Sequence, residues 1–120
     1  MKPKIVVVDD DSLICELYAE YLIQNGFIAY TAFSVREALD RIKNHNPDLV
    51  LTDVIMPKET GFDLYEKLKL INPELPIIFM TGYESDENTY GYLNKIGKKW
   101  VGKPVVLGEL VQLIRLELIK

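Results

Sequence analysis

Residues 4–11 read KIVVVDDD, a β-branched run that ends in three acids. A short, continuous apolar run of this kind is typical of a strand buried on both faces, as in parallel sheets with helices on either side. Ligands in such sheets bind at the carboxyl ends of the strands. The stretch therefore predicts a buried first strand with a carboxylate cluster at the end where ligands bind.

The same alternation of hydrophobic periods continues along the chain. Further strands are predicted at residues 28–32, 49–52, 76–80 and 99–101. Helical periodicity fills the intervals, in segments that begin near residues 12, 34, 61, 86 and 106. Five strands that alternate with five helices pair in parallel through right-handed crossovers. We therefore expect an α/β fold in which one doubly wound sheet forms a single domain, residues 1–120.

Spacing also predicts which helix faces point inward. The first helix is expected to start with Ser12 as its N-cap and to end at Asn25-Gly26. Its predicted core face is Ile14, Leu17, Tyr18, Tyr21 and Leu22. The predicted core face of the last helix is Leu107, Leu110, Val111, Ile114 and Leu118. Leu113 and Leu116 are expected to point away from that core.

Composition limits the class of protein. The chain has 120 residues, 48% of them hydrophobic, which suffices for one core. No apolar run approaches the roughly 20 residues that span a bilayer, and residues 1–4 lack signal-peptide features, so we expect a cytoplasmic protein. The net charge of −4 argues against direct binding to nucleic acid. The single cysteine, Cys15, excludes an internal disulfide and fits a structural thiol.

Polar residues follow four of the predicted strands. They are Asp9, Asp10 and Asp11 after the first strand, Asp53 after the third, Thr81 after the fourth and Lys103 after the fifth. Clustered carboxylates repel one another, and hard oxygen ligands of this kind favour Mg²⁺. A carboxylate is also a nucleophile toward phosphorus, and a metal and an ammonium group offset the charge of a transferring phosphoryl group. The set predicts Mg²⁺-dependent phosphoryl chemistry, although Asp11 alone also fits a helix N-cap.

Four stretches of the chain carry a family resemblance. They are VVDDD at 7–11, LVLTDVIMP at 49–57 with Gly61, MTG at 80–82 and WVGKP at 100–104. In this order and spacing they resemble the receiver domain of two-component response regulators over essentially the whole chain. The resemblance implies a flavodoxin-like fold with strand order 2-1-3-4-5 and five flanking helices.

The resemblance also implies a role for each matching residue. Asp53 is the implied phosphoacceptor, and Thr81 and Lys103 are the hydroxyl and the lysine that bind the phosphoryl group. The implied Mg²⁺ ligands are Asp9, Asp10, Asp53 and the backbone carbonyl of Ile55.

Five residues have implied roles in access and switching. Gly82 leaves room for the phosphoryl group, and Trp100 stands where the family has a switch aromatic. The peptide bond before Pro104 is expected to be cis. Ile55 and Tyr83 flank the path of the hydrolytic water, and since neither is suited to orient that water, the phosphorylated state is expected to be long-lived.

Partners follow from the same resemblance. The implied phosphodonor is a sensor histidine kinase or a phosphotransfer protein, and the implied receiver of the signal is an output protein or effector domain. The fourth helix, fifth strand and fifth helix are expected to form the signalling face, where Leu113 and Leu116 favour a homodimer or partner contact. The chain is expected to catalyse only its own phosphorylation and dephosphorylation. A stand-alone regulator and the N-terminal receiver of a longer protein both fit.

Three other kinds of protein share parts of this pattern. A phosphatase of the haloacid dehalogenase type needs a second acid two residues after its nucleophile, where this chain has Ile55. A flavodoxin-like FMN carrier needs a phosphate-binding loop after the first strand, where the acids at 9–11 would repel phosphate. A receiver-like module that is never phosphorylated would not need Asp10, Asp53, Thr81 and Lys103, all of which this chain has.

Overall fold

Five parallel strands form one sheet in the order β2-β1-β3-β4-β5 in the computed structural model, which describes residues 1–82 and 86–119. The strands are β1 (Lys4–Val8), β2 (Ile28–Ala32), β3 (Leu49–Asp53), β4 (Ile77–Thr81) and β5 (Lys99–Gly102). Every neighbouring pair is parallel. The predicted α/β class and strand order are confirmed.

Five helices cover the two faces of the sheet. They are α1 (Ser12–Gln24), α2 (Val35–His45), α3 (Gly61–Ile71), α4 (Glu87–Ile96) and α5 (Leu107–Leu118). Successive side chains of β1 point to opposite faces, as the pleat requires. Ile5 and Val7 therefore join the core beneath α1 and α5, whereas Val6 and Val8 join the core beneath α2, α3 and α4.

Polar side chains cap most of the helices. Asp11, rather than the predicted Ser12, is the N-cap of α1, and its carboxylate accepts the backbone N–H of Ile14. Ser34 caps α2 as predicted. Thr60 and Asp63 form a reciprocal capping box at the start of α3. These caps satisfy backbone N–H groups in the first turns of the helices.

The predicted core face of α1 is partly correct, because Tyr18 and Leu22 are buried and Ile14 and Tyr21 pack half-buried against the core. The buried side chains are Cys15, Tyr18, Ala19 and Leu22. Leu17, which we expected inside, is 53% exposed. Small side chains at Cys15 and Ala19 let the helix lie close to the sheet, and the Cys15 thiol donates to the Val7 carbonyl oxygen. Because α1 is apolar on several sides, periodicity alone did not select this face.

The prediction for α5 is correct for its central residues. Leu110, Val111 and Ile114 are buried. Leu113, expected to point outward, is half-buried and packs against the core, so only Leu116 of the predicted pair is exposed. The leucine pair therefore does not form one exposed patch.

One finding bears on membranes. Within residues 1–82 and 86–119, no helix combines the length and the hydropathy needed to span a bilayer.

Candidate functional site

The register of the sheet brings four strand ends to one edge. Val8 of β1 pairs with Thr52 of β3, so that Asp9 follows beside Asp53. Thr81, the last residue of β4, pairs with Gly102, the last residue of β5. The residues after or at these ends therefore meet although they are far apart in the chain.

Asp9, Asp53 and Lys103 form the centre of this edge. The Lys103 ammonium nitrogen lies 2.9 Å from Asp53 Oδ2 and 3.2 Å from Asp9 Oδ2. Asp9 is 1% exposed and Asp53 is 4% exposed. Two buried carboxylates thus share the ammonium group of Lys103, whose side chain is partly exposed to solvent.

The environment shifts the pKa values of the central pair. Burial raises the pKa of Asp53 to about 6, against the opposing effect of Lys103 and with a further contribution from Asp9 and Asp10. Burial alone would lower the pKa of Lys103, but its hydrogen bond to Asp53 and its attraction to both carboxylates raise it to about 12. The lysine is therefore a permanent cation at neutral pH, and Asp53 is a carboxylate whose charge is incompletely compensated.

Asp10 completes an acidic group with these residues. One oxygen from each of Asp9, Asp10 and Asp53 lies within 4.8 Å of the others. Asp53 Oδ1 is buried and has no hydrogen-bond partner among the described residues. The donors are all hard carboxylate oxygens, and one of the three acids is exposed, so the set fits Mg²⁺ with several retained waters. Receiver domains generally bind Mg²⁺ at an acidic site.

Thr81, Gly82 and Pro104 surround the lysine. The Thr81 carbonyl oxygen accepts the backbone N–H of Lys103 at 2.7 Å. The Thr81 hydroxyl is buried and has no partner in the part of the chain that the structure describes. Gly82, Lys103 and Pro104 line one cavity. The Lys103–Pro104 peptide bond is cis, as expected.

Gly61 is required by the backbone of the phosphoacceptor candidate. A Cβ atom at Gly61 would stand 2.3 Å from the Asp53 carbonyl oxygen. The Gly61 N–H donates to the Val54 carbonyl oxygen at 2.8 Å. Only glycine lets the first turn of α3 approach the end of β3 this closely. The family resemblance includes Gly61, but the sequence alone gave no physical reason for a glycine at this position.

Other predicted site residues lie around the centre. Ile55 is 43% exposed, two residues beyond Asp53. Trp100 is 40% exposed and packs against Tyr90 of α4, with the ring centroids 5.2 Å apart. Trp100 therefore lies on the α4 side and not among the acids. Tyr83 falls outside the described residues.

Tyr18 is a residue that the sequence assigned only to packing. It is buried in α1, yet it lines the same cavity as Gly82 and Lys103. Burial raises the pKa of its hydroxyl, and the charges of Lys103, Asp9 and Asp53 also act on it. Nothing in the sequence distinguishes a core tyrosine that also lines this cavity from one that only packs in the core.

Comparison with known proteins identifies the family. A family model described as the response regulator receiver domain matches residues 5–115. The chain belongs to this family and is a receiver domain of a two-component response regulator. Receiver domains are generally not enzymes in the ordinary sense.

Individual relatives agree with this family. The Response regulator MprA of Mycolicibacterium vanbaalenii is 34% identical over 115 residues, which is 96% of this chain and 50% of the relative. The chain thus spans about half the length of the curated relatives it matches. A receiver domain from Clostridium thermocellum has a TM-score of 0.88 at 31% identity, covering 97% of this chain and 94% of that one. A CheY-like receiver from Methanospirillum hungatei has a TM-score of 0.87 at 31% identity, covering 98% and 94%.

Proposed function

We propose that Asp53 accepts a phosphoryl group from a histidine kinase or a phosphotransfer protein in a Mg²⁺-dependent reaction. One observation carries this proposal. Asp53 is a buried carboxylate that holds a lysine with one oxygen, while its other oxygen has no partner among the described residues. Such a carboxylate is placed and charged for nucleophilic attack on phosphorus.

The transfer follows from these positions. A carboxylate oxygen of Asp53 attacks the phosphorus of the donor, the bond from phosphorus to the donor nitrogen breaks, and its electron pair returns to the imidazole. Lys103 then exchanges its contact with Asp53 for one with a phosphoryl oxygen. The Thr81 hydroxyl, which is buried and unpartnered within the described residues, donates to another phosphoryl oxygen.

Asp9, Asp10, Asp53 and the Ile55 backbone carbonyl would hold the cation in this proposal. Bound Mg²⁺ would offset the negative charge that gathers as the phosphoryl group enters a site that already holds three carboxylates. Gly82 would leave space beside the phosphoryl group.

The signal would leave through α4, β5 and α5. When Thr81 turns toward the phosphoryl group, it vacates space into which Trp100 moves from its contact with Tyr90. Phosphorylation would thus shift a population between two packings of this face. A homodimer or an output protein would read the change, and Leu116 remains the exposed leucine of the pair expected there. Residues 1–120 would act as one phosphoacceptor domain.

Intact-mass measurement after incubation with acetyl phosphate and Mg²⁺ tests the proposal. We expect a gain of one phosphoryl group in the wild type and none in Asp53→Asn. Trp100 is the single tryptophan, so its fluorescence should change with the mass. A wild type that gains no mass would contradict the proposal and favour a receiver-like module that is never phosphorylated.

A further inference from the structure

A cavity beside Lys103 has an apolar wall and a polar end. Its volume is about 430 Å³. The residues lining it are Ile14, Leu17, Tyr18, Gly82, Lys103, Pro104, Val105 and Leu107. Among the described lining residues, the ionisable side chains are those of Tyr18 and Lys103, and Lys103 also contacts Asp53 at 2.9 Å.

Tyr18 has an unused hydrogen-bonding group at this cavity. The residue is 7% exposed, and its ring belongs to the core beneath α1 and α5. Its hydroxyl forms no hydrogen bond within residues 1–82 and 86–119. The hydroxyl oxygen is not among the buried atoms that lack a partner, so it is accessible from the cavity that Tyr18 lines. A tyrosine whose ring is in the core and whose hydroxyl reaches a cavity can bind a water there.

Lys103 also has an unused group. An ammonium carries three N–H donors, and Lys103 uses two of them, on Asp9 and Asp53. No third acceptor is present among the described residues. In the proposed transfer, Lys103 exchanges its contact with Asp53 for one with a phosphoryl oxygen, so its ammonium group must shift while Asp9 holds it. An acceptor for the third N–H would hold the flexible side chain in place during that exchange.

We propose that the Tyr18 hydroxyl binds a water in the cavity, that this water accepts the third N–H of Lys103, and that Tyr18 thereby positions Lys103 for phosphoryl transfer. The inference rests on the proposed function. Tyr18 is a positioning residue, because it acts through the lysine and does not touch the phosphoryl group. A water of this kind needs space and polar partners, and the cavity supplies both.

The test compares Tyr18→Phe with Tyr21→Phe on the same helix. Tyr18→Phe keeps the ring in the core and removes only the oxygen, and Tyr21 does not line the cavity. With acetyl phosphate at saturating Mg²⁺, we expect the rate of phosphorylation of Tyr18→Phe to fall about five- to tenfold. The midpoint of the Mg²⁺ titration and the thermal unfolding temperature should stay at the wild-type values, and Tyr21→Phe should match the wild type throughout.

A second measurement separates this inference from the proposed function. In protein labelled with ¹⁵N-lysine, the Lys103 ammonium signal should be protected from solvent exchange in the wild type and broadened in Tyr18→Phe. This difference should appear even if the wild type accepts no phosphoryl group. A failure of phosphorylation would contradict the proposed function but not the positioning of Lys103 by Tyr18. Wild-type phosphorylation kinetics in Tyr18→Phe together with an unchanged lysine signal would overturn the positioning role.

Discussion

Asp53 and Lys103 carry opposite charges at a place where neither is well hydrated. Removing two charges from water costs free energy that their attraction only partly returns, so a buried ion pair is poor evidence for stability. The raised pKa of Asp53 shows the same conflict, since burial outweighs the lysine. The pair therefore fits a site that must receive another charged group better than a structural contact.

At the same scale, Ile55 is expected to lengthen the life of the phosphorylated state. Hydrolysis needs a water oriented opposite the Asp53 oxygen, and the exposed isoleucine has no group that can orient it. Ile55→Asn should therefore speed the loss of the phosphoryl group about tenfold, the effect of roughly 1.4 kcal/mol in the transition state. Intact mass followed over time at fixed Mg²⁺ measures the rate.

Ile71→Asn provides the matched control for this prediction. Ile71 is also exposed, at the end of α3 and away from the strand ends that carry the site. Its substitution should leave the rate of hydrolysis unchanged. A lifetime of Ile55→Asn equal to that of the wild type would show that the isoleucine does not limit access of water.

At the scale of elements, the helices are attached to the sheet to different degrees. The first turn of α3 lies against the end of β3, and Leu64 and Leu68 anchor the helix in the core. In α4, Leu93 is the only fully buried side chain, and Tyr90 and Ile96 are partly buried against the same core. An element with few buried contacts is the one that can shift at small cost in free energy.

Two glycine substitutions test this contrast. Gly61→Ala should lower the free energy of unfolding by about 1–3 kcal/mol, because its Cβ would overlap the Asp53 carbonyl oxygen and the backbone must move. Gly91→Ala in α4 should raise it by about 0.5–1 kcal/mol, because a Cβ there meets no atom within 4 Å and alanine favours the helix. Denaturant unfolding measures both, and equal effects would contradict the close approach at Gly61.

At the scale of the whole molecule, one edge of the sheet collects negative charge from separate strands. Asp9, Asp10 and Asp53 repel one another, so part of the stability of the fold depends on what compensates them. Lys103 offsets part of this charge, and a bound cation would offset more of it. Cation binding and global stability should therefore be linked.

Mg²⁺ is accordingly expected to stabilise the wild type by about 2.7 kcal/mol when its concentration is a hundred times the dissociation constant. Asp10→Asn should lose most of this gain, because it removes one carboxylate from the acidic group. Glu16→Gln, an exposed acid of α1 outside that group, should retain it. Thermal unfolding with and without Mg²⁺ measures the gain, and an undiminished gain in Asp10→Asn would place the cation elsewhere.

The order of the elements could be read from the sequence, and so could the strand ends, to within one residue, and the polar residues found there. Each of these is a local property: the β-branched run of β1, the Ser34 cap and the acids after Val8 can be recognised within a few neighbouring residues. The parallel pairing of the strands followed from their alternation with helices. The candidate site could therefore be predicted before any distance was known.

Packing of the folded chain selects the side of α1 that faces the sheet, turns Leu113 inward, and brings Tyr18 and Lys103 to the same cavity. An apolar helix offers several faces of similar hydropathy, and the choice between them depends on how closely the side chains fit the sheet. Lys103 and Asp53 are 50 residues apart in the chain, and the distance between their charges depends on the register of β3, β4 and β5. Such contacts arise from packing of the whole chain, which no local pattern encodes.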